Sequence, residues 1–159
     1  MKRDIFSYRF FSWDRIYAII KKQSIMTNAE KVNEFLDRAG VWFFLTTDGD
    51  QPKGRPFRFH LLQNDTLYFG TGTFKRVFRQ MTANPHVEIL AVRGSEFLCY
   101  DGTVVLEETD DLAEAVLAKA PAMREVYNDS TGLRLGMFHL TDGTVEICTA
   151  TGQKETFAL

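Results

Sequence analysis

The chain has 159 residues, of which 45% are hydrophobic and 25% charged, and its formal net charge is -2. This length suits one domain that buries about two thirds of its unfolded surface, and it is too short for two ordinary domains. The composition excludes a disordered or fibrous protein. The 14 phenylalanines favour a sheet-rich fold, because aromatic side chains pack well on pleated, half-buried surfaces.

The first 25 residues differ in composition from the rest of the chain. They contain six basic and two acidic residues, a net charge of +4, so the remaining residues sum to -6. Asp14 and Arg15 interrupt the apolar residues and no small-residue cleavage site follows, which argues against a secretory signal. The segment fits a helix on a membrane surface, a helix packed on the domain, or an appended extension without a function. We expect residues 1–25 to be an N-terminal extension and residues 26–159 to form the domain.

The first predicted elements are a helix and three strands. Thr27 and Glu30 have capping-box spacing and Gly40 is a typical helix end, which predicts a helix over 28–39. The β-like runs that follow are VWFFLTT (41–47), GRPFRFHLL (54–62) and TLYFGT (66–71). Short turns between them predict an antiparallel meander. Because Pro56 has no amide hydrogen, we expect the second strand to be an edge strand or to be bulged there.

The rest of the chain reads as two more helices and further strands. Apolar spacing predicts a second helix in TFKRVFRQMTANP (73–85), with Thr73 as its N-cap. Strands HVEILAVR (86–93) and EFLCYDGTVVLEE (96–108) follow, with Gly102 as a candidate bulge, and then a helix over 110–127 that Pro121 breaks. The final β runs are LGMFHL (135–140), TVEICTA (144–150) and ETFAL (155–159), with Asp142-Gly143 as a turn. Six or seven strands with inserted helices favour closure into a small barrel.

Positive charge is concentrated between the second strand and the second helix. Residues 53–79 contain six basic residues and one acidic residue. A helix start offers unpaired amides to an anion, and hairpin pairing would bring a strand arginine alongside it. The residues expected to meet there are Arg55, Arg58, Thr71, Gly72, Thr73 and Lys75. The sequence alone leaves two interpretations open, a phosphate pocket and a solvated basic face.

Three segments carry a resemblance to a known family. RPFRFH (55–60), YFGTGTFK (68–75) and QMTANPHVEI (80–89) resemble the flavin-binding core of the pyridoxamine 5'-phosphate oxidase-like family, and the resemblance covers residues 28–158. It implies a mainly β (α+β) fold, a six- to seven-stranded antiparallel split β-barrel with short inserted helices. It also implies a homodimer with FMN at the subunit interface. Residue by residue, it implies that the phosphate ligands are Arg55, Thr71, Thr73 and Lys75, and that backbone at Pro56 and Phe57 lines the isoalloxazine.

The chain also departs from the oxidase pattern. His60 stands where the oxidase has a lysine, and Phe97 replaces a glutamine that contacts the flavin. Arg55, Arg58 and His60 are all candidates for contact with the flavin. Arg55 and His60 are five residues apart, so a regular strand would place them on opposite faces, and both can touch FMN only if Pro56 marks a bulge or one of them acts through its backbone. Arg58 would share the face of His60. The C-terminal tryptophan and arginine motif that recognises the vitamin substrate has no counterpart in GQKETFAL (152–159). We therefore do not expect true pyridoxamine phosphate oxidase activity.

Other classes of function lack support in the sequence. Neither HxxxH nor HxH spacing occurs among the three histidines, no serine lies in GxSxG, and the overall charge does not suit nucleic-acid binding. No stretch has the length and apolar content of a membrane span. Cys99 and Cys148 lie outside any CxxC pair, so we expect both to pack in strands of a cytoplasmic protein. Trp42 and its neighbouring phenylalanines are interpreted as core.

Three hypotheses for function follow. The first is a flavoprotein that uses FMN for hydride or electron transfer to a small-molecule substrate, with unknown catalytic residues. The second is a non-catalytic flavin-binding or flavin-carrying protein, because members of one fold family need not share chemistry. The third is an anion-binding module without flavin.

Overall fold

Helix α1 (Asn28–Ala39) opens the part of the chain that the computed structural model describes, residues 26–159. Thr27 and Glu30 form the predicted capping box: the Glu30 amide donates to the Thr27 hydroxyl at 3.1 Å, and the Thr27 amide donates to the Glu30 carboxylate at 2.9 Å. Gly40 ends the helix with a φ of 70°, which a residue with a side chain rarely adopts. The predicted helix over 28–39 is confirmed.

Eight strands form one antiparallel sheet within residues 26–159. Their bounds are β1 (Trp42–Asp48), β2 (Gln51–Phe57), β3 (His60–Gln63), β4 (Thr66–Gly72), β5 (His86–Arg93), β6 (Glu96–Leu106), β7 (Leu135–Thr149) and β8 (Gly152–Ala158). The strand order is β2-β1-β5-β6-β7-β4-β3, with β8 also paired to β7. The sheet curls into a half-barrel, so the predicted mainly β split barrel with short helices is confirmed, with eight strands where six or seven were predicted.

Three further helices are inserted between the strands. They are α2 (Arg76–Ala83), α3 (Asp111–Lys119) and α4 (Pro121–Arg124). The predicted break at Pro121 is confirmed, because α4 starts at this proline, which has no amide hydrogen to continue the ladder of α3. None of the helices in residues 26–159 has the length and apolar content that crossing a membrane requires.

The predicted second strand over 54–62 is in fact two strands on opposite edges of the sheet. β2 pairs with β1, whereas β3 pairs with β4, and Arg58 and Phe59 alone join them. The predicted meander is therefore wrong at this point, because the alternation of side chains runs unbroken through a segment where the backbone changes partner. Pro56 lies on an edge strand as predicted, and its regular pairing with Phe43 shows that no bulge occurs there.

The predicted turn at Asp142-Gly143 is also wrong, because β7 runs through both residues. On the paired strands, Asp101 faces Thr144 and Thr103 faces Thr141, so two residues of β7 lie opposite Gly102 alone. This is a β-bulge, and it confirms the irregularity predicted at Gly102. Asp142 has a φ of 53°, which shows that the dipeptide supplies a left-handed residue to a bulge instead of a hairpin turn.

The core lies inside the half-barrel and is rich in aromatic side chains. Trp42, Phe44, Phe69 and Phe138 have no exposed surface. Their rings form a row in which each contacts the next, with centroid distances of 5.3 Å for Trp42–Phe69, 5.7 Å for Phe69–Phe138 and 5.3 Å for Phe44–Phe138. The prediction of a core at Trp42 is confirmed, but Phe43 faces the other side of the sheet and is 44% exposed.

We propose that residues 26–159 are the folding unit. The capping box of α1 is closed by residues of this range, and both apolar clusters of the described chain belong to it. Deleting residues 1–25 is expected to leave the midpoint of thermal unfolding within about 2 °C of the full chain, equivalent to less than about 1 kcal/mol for a domain of this size. A larger fall in the midpoint, measured by circular dichroism on both proteins, would show that the segment contributes to the fold.

Candidate functional site

A cavity of about 540 Å³ lies beside the seam where the two edges of the sheet approach each other. β2 and the link after it contribute residues 55–59, β4 contributes Gly70 and Thr71, and the start of α2 contributes Lys75 and Val77. The remaining walls are Val41, Met123, Tyr127 and Leu135. Of the nine cofactor-binding residues predicted from the sequence, the cavity brings together Arg55, Pro56, Phe57, Arg58, Thr71 and Lys75.

The route by which these residues meet differs from the predicted one. Hairpin pairing was expected to bring Arg55 or Arg58 next to the β4 strand, but β2 and β4 are not neighbours in the sheet. The two groups meet because the sheet curls and places its β2 edge near its β3-β4 edge. The predicted pairing of the Arg55 strand with β4 is therefore wrong, although Arg55 and Lys75 do line one cavity.

Three cations belong to the cavity lining, and together they are called the cationic wall. Arg55, Arg58 and Lys75 all line the cavity, and within the described residues none of them forms an ion pair with a carboxylate. The Arg55 Nη1 atom donates a hydrogen bond to the Thr46 hydroxyl at 3.3 Å, and the Lys75 ammonium lies 6.0 Å from the centre of the Phe74 ring. Cations without a local carboxylate suit an anionic ligand.

Helix α2 begins later than predicted. The residue that precedes its first turn is Lys75, with extended backbone, so the prediction of Thr73 as N-cap is wrong. The chain first makes a turn, in which the Lys75 amide donates to the Gly72 carbonyl at 3.0 Å. Thr73 donates to the Arg134 carbonyl instead, from its amide at 3.0 Å and from its hydroxyl at 3.4 Å. The turn delays the helix by two residues.

No side chain of residues 26–159 caps the first turn of α2, and this turn contains no acidic residue. Lys75 and Val77 both line the cavity, so the positive end of the helix dipole lies at the same wall as the cations.

Apolar side chains form the other walls of the cavity. Phe57, Phe59, Leu135 and Met123 all line it, and Phe59 packs in the same apolar cluster as Leu135 and Met123. At Gly70, a Cβ atom would lie 2.9 Å from the Met137 sulfur and 3.4 Å from both Leu135 and Phe59. The walls therefore approach the backbone of β4 closely, and the space suits a flat apolar group next to a charged one.

Three predicted residues do not line the cavity. Gly72 is buried behind the Phe74 ring, which a Cβ atom there would meet at 2.5 Å, and Thr73 is held by the Arg134 carbonyl. The His60 side chain is only 6% exposed, with its Nε2 atom 3.1 Å from the Asp37 carboxylate. Neither ring nitrogen of His60 has hydrogen-bond geometry with a partner in residues 26–159.

The strand break explains why His60 lies apart from Arg55. In one regular strand the two residues would face opposite sides, but the link at Arg58 and Phe59 interrupts the alternation of side chains. His60 instead enters the interior from β3, where its ring centroid is 6.4 Å from that of Trp42.

Sequence reasoning missed several residues of the site. Met123 and Tyr127 line the cavity from α4 and the turn after it, and their spacing of four residues was the only signal for a shared face. Thr46 and Gln80 were missed as well. Thr46, Gln80 and Thr71 are polar residues with whole-residue exposures of 3%, 7% and 3% respectively. Thr71 lines the cavity, and Thr46 contacts Arg55.

The cysteines lie outside the site. Cys99 is in β6 and Cys148 in β7, both as free thiols, which confirms that they pack in strands. Burial, followed by the nearby Glu88 carboxylate, raises the pKa of Cys99 to about 11. A raised pKa favours the protonated thiol, which is the less nucleophilic form.

Comparison with known proteins adds to this geometry. Residues 29–151 match the family described as pyridoxamine 5'-phosphate oxidase. No curated protein sequence matches the chain. Among solved structures, a NimC/NimA family protein from Clostridium acetobutylicum is 29% identical, with a TM-score of 0.74 over 84% of this chain and 95% of that one.

Two further solved structures are more distant and share the fold. A putative pyridoxamine 5'-phosphate oxidase from Listeria innocua is 20% identical over 84% of this chain and 98% of its own, with a TM-score of 0.57. A pyridoxamine 5'-phosphate oxidase-related, FMN binding protein from Nostoc punctiforme is 16% identical over 92% of this chain and 88% of its own, with a TM-score of 0.52. Since the family match extends over most of the chain, this protein belongs to the pyridoxamine 5'-phosphate oxidase family.

Proposed function

We propose that this protein binds FMN in the cavity beside the seam and uses it as an oxidoreductase acting on a small molecule. The observation that carries the proposal is that the cavity lining divides into two kinds of side chain, three cations and several apolar groups. A flavin mononucleotide has the same division, with a phosphate at one end and a large flat ring system at the other. Family membership and the FMN-binding neighbour from Nostoc punctiforme support this assignment.

The phosphate would bind at the cationic wall. Arg55, Arg58 and Lys75 supply charge there, and Thr71, a buried residue that lines the cavity, offers its hydroxyl as a further donor. Hydrogen bonds from charged donors to a phosphate are about twice as strong as neutral ones. Gly72 and Thr73 shape the turn that leads to Lys75 and are not assigned as ligands.

The ring system would bind against the apolar walls and the backbone of β2. Phe57 and Phe59 offer apolar surface, and β2 is an edge strand, so part of its backbone has no strand partner and can bond the polar edge of the ring. When bound, the flavin supplies the hydride or electron transfer, and the protein binds and orients it.

We also propose that a second copy of the chain covers the outer face of the sheet next to this cavity. Exposed apolar side chains lie there, with Phe43 44% and Val92 56% exposed. Paired residues share a face, and Phe43 pairs with both Pro56 of β2 and Leu90 of β5, while Val92 pairs with Phe97. This apolar strip reaches the cavity at Pro56, so a homodimer formed through it would place FMN at the interface.

The first test of the proposal is the colour of the protein. Protein purified from a flavin-replete host is expected to show the absorbance of oxidised flavin and to release FMN on denaturation. Anaerobic addition of NADH or NADPH is then expected to bleach the bound flavin, and air to restore it. A stable spectrum under these reductants would favour the non-catalytic flavin carrier. Colourless protein that also fails to bind added FMN would contradict the proposal.

The cationic wall is tested with Lys75→Ala. Each charge-assisted hydrogen bond contributes about 1.5–3 kcal/mol, so FMN affinity is expected to fall about 10- to 100-fold. Riboflavin lacks the phosphate, and its weaker affinity is expected to stay nearly constant. Lys119→Ala is the matched control, because Lys119 is exposed on α3 and does not line the cavity. Equal losses of FMN and riboflavin affinity in a folded Lys75→Ala protein would remove Lys75 from the phosphate site.

The dimer is tested by placing a charge in the apolar strip. Val92→Lys is expected to shift the protein from dimer to monomer in size exclusion with light scattering, because an unpaired charge in an apolar interface is costly to desolvate. Val105→Lys makes the same change at another exposed valine, 38% exposed and in the later half of β6, and is expected to leave the dimer intact. A Val92→Lys protein that remains dimeric would show that the strip is not the interface.

A further inference from the structure

Two of the buried polar side chains in the described chain form a hydrogen-bonded pair that ends on Arg55. The Thr46 hydroxyl of β1 donates to the Gln80 side-chain carbonyl of α2 at 2.9 Å, and Arg55 Nη1 donates to the same hydroxyl at 3.3 Å. Thr46 and Gln80 are 3% and 7% exposed, and they lie on two different elements that pack against each other.

The direction of these bonds is fixed by chemistry. A hydroxyl has one hydrogen to donate, and a guanidinium has only donors. With the Gln80 carbonyl oxygen accepting the Thr46 hydrogen, the lone pairs of the hydroxyl are left for Arg55. In this arrangement the Thr46 hydroxyl both donates and accepts a hydrogen bond. The other N–H groups of the Arg55 guanidinium remain available to a ligand.

The pair is not explained by the stability of the fold alone. Burying an amide and a hydroxyl removes both from water, and the hydrogen bond between them returns little more than that loss. An apolar pair of similar size would fill the same space between β1 and α2, where the neighbouring Val77 and Met81 are buried and apolar. The feature that an apolar pair could not reproduce is the acceptor offered to Arg55.

Arg55 has a particular need for such an acceptor. It lies on the edge strand β2, and within residues 26–159 it has no ion pair. A long side chain without an anchor samples many rotamers, and ordering it when a ligand binds lowers the affinity. An anchor that holds the guanidinium in place beforehand removes part of this loss.

We propose that Thr46 and Gln80 are positioning residues that hold Arg55 toward the ligand's phosphate and so set the preference for a phosphorylated flavin over riboflavin. This inference rests on the proposed FMN function. It assigns a role to two residues that line up behind the cavity wall and would not themselves contact the ligand.

The first measurement is independent of any ligand. In the purified protein without flavin, NMR relaxation of the Arg55 Nε–H group is expected to report a side chain as ordered as the neighbouring backbone. Thr46→Val removes the acceptor and keeps the shape of the side chain, so the order parameter of Arg55 is expected to fall clearly. Thr82→Val is the matched control, because the Thr82 hydroxyl donates to the Phe78 carbonyl of its own helix. An equally ordered Arg55 in Thr46→Val overturns the positioning role.

The second measurement compares FMN with riboflavin. Ordering one rotamer-rich side chain corresponds to about a 2- to 10-fold change in affinity, so Thr46→Val and Gln80→Leu are each expected to weaken FMN by that factor and leave riboflavin unchanged. Thr46→Ser keeps the hydroxyl and is expected to bind FMN within about 2-fold of the wild type. In an Arg55→Ala background, Thr46→Val is expected to have no further effect.

The double variant Thr46→Val/Gln80→Leu tests whether a loss of FMN affinity comes from a destabilised fold. Replacing both partners leaves no buried polar group unpaired, so its unfolding midpoint is expected to stay near that of the wild type while its FMN preference falls. Parallel losses of FMN and riboflavin affinity, or a loss that adds to that of Arg55→Ala, would overturn the inference. Failure of the wild type to bind FMN would contradict the proposed function, and the order of Arg55 would still decide the positioning role.

Discussion

The link between β2 and β3 is the constraint on which the rest of the molecule depends. These strands are the two ends of the strand order, yet only Arg58 and Phe59 separate them in the chain. Three steps between Cα atoms span at most about 11 Å, so the end of one edge must lie close to the start of the other. The sheet therefore has to curl, and its two edges have to meet at a seam.

Trp42 fills the space that this curl creates. Its ring is 5.2 Å from that of Phe57 on one edge and 5.3 Å from that of Phe69 near the other, measured between centroids. The Trp42 indole N–H and both ring nitrogens of His60 are buried without a hydrogen-bond partner in the described residues. Aromatic contact therefore joins the two edges at this point, and Phe57 belongs both to this contact and to the cavity lining.

The same link limits what could be predicted from the sequence. Helix 28–39 was predicted to the residue, because capping box and terminal glycine are local signals. The runs of strand residues were located well for the same reason. Which strands pair is decided by distant contacts, and a period of two continues unchanged across Arg58 and Phe59. The split of 54–62 therefore had no local signal.

Asp142-Gly143 and Thr73 have the conformational and hydrogen-bonding properties that the predictions assumed, but each belongs to a different structural element than predicted. Asp142-Gly143 can adopt left-handed backbone, which serves a hairpin turn or a bulge equally, and pairing of β7 with its neighbours on both sides selects the bulge. Thr73 can cap a helix, but the Arg134 carbonyl binds its amide and hydroxyl instead. In both cases a partner far away in the chain decides between two uses of one residue.

The charged residues of the candidate site were predicted from the sequence. Several wall residues, and the buried residue that contacts Arg55, were not. Arg55, Thr71 and Lys75 stand in segments with a distinctive pattern, and the resemblance to a family singled them out. Met123 and Tyr127 come from a segment more than 40 residues later, and they reach the cavity through an apolar cluster that also contains Leu135, Met137 and Phe59. Thr46 sits in an apolar run, where nothing local separates a buried threonine from a core valine.

Three features of the isolated chain meet at the same place, and this coincidence gives the proposals a common physical basis. The edge of β2 leaves backbone groups without strand partners, the apolar strip at Phe43 and Val92 faces solvent, and the cationic wall lacks carboxylates. An exposed edge and an exposed apolar patch both promote unspecific association. A bound ring with a phosphate would satisfy the backbone edge and the cations, and a second copy of the chain would cover the strip beside it. Binding of the ligand and association of the chains would therefore stabilise each other, because each completes a surface next to the other.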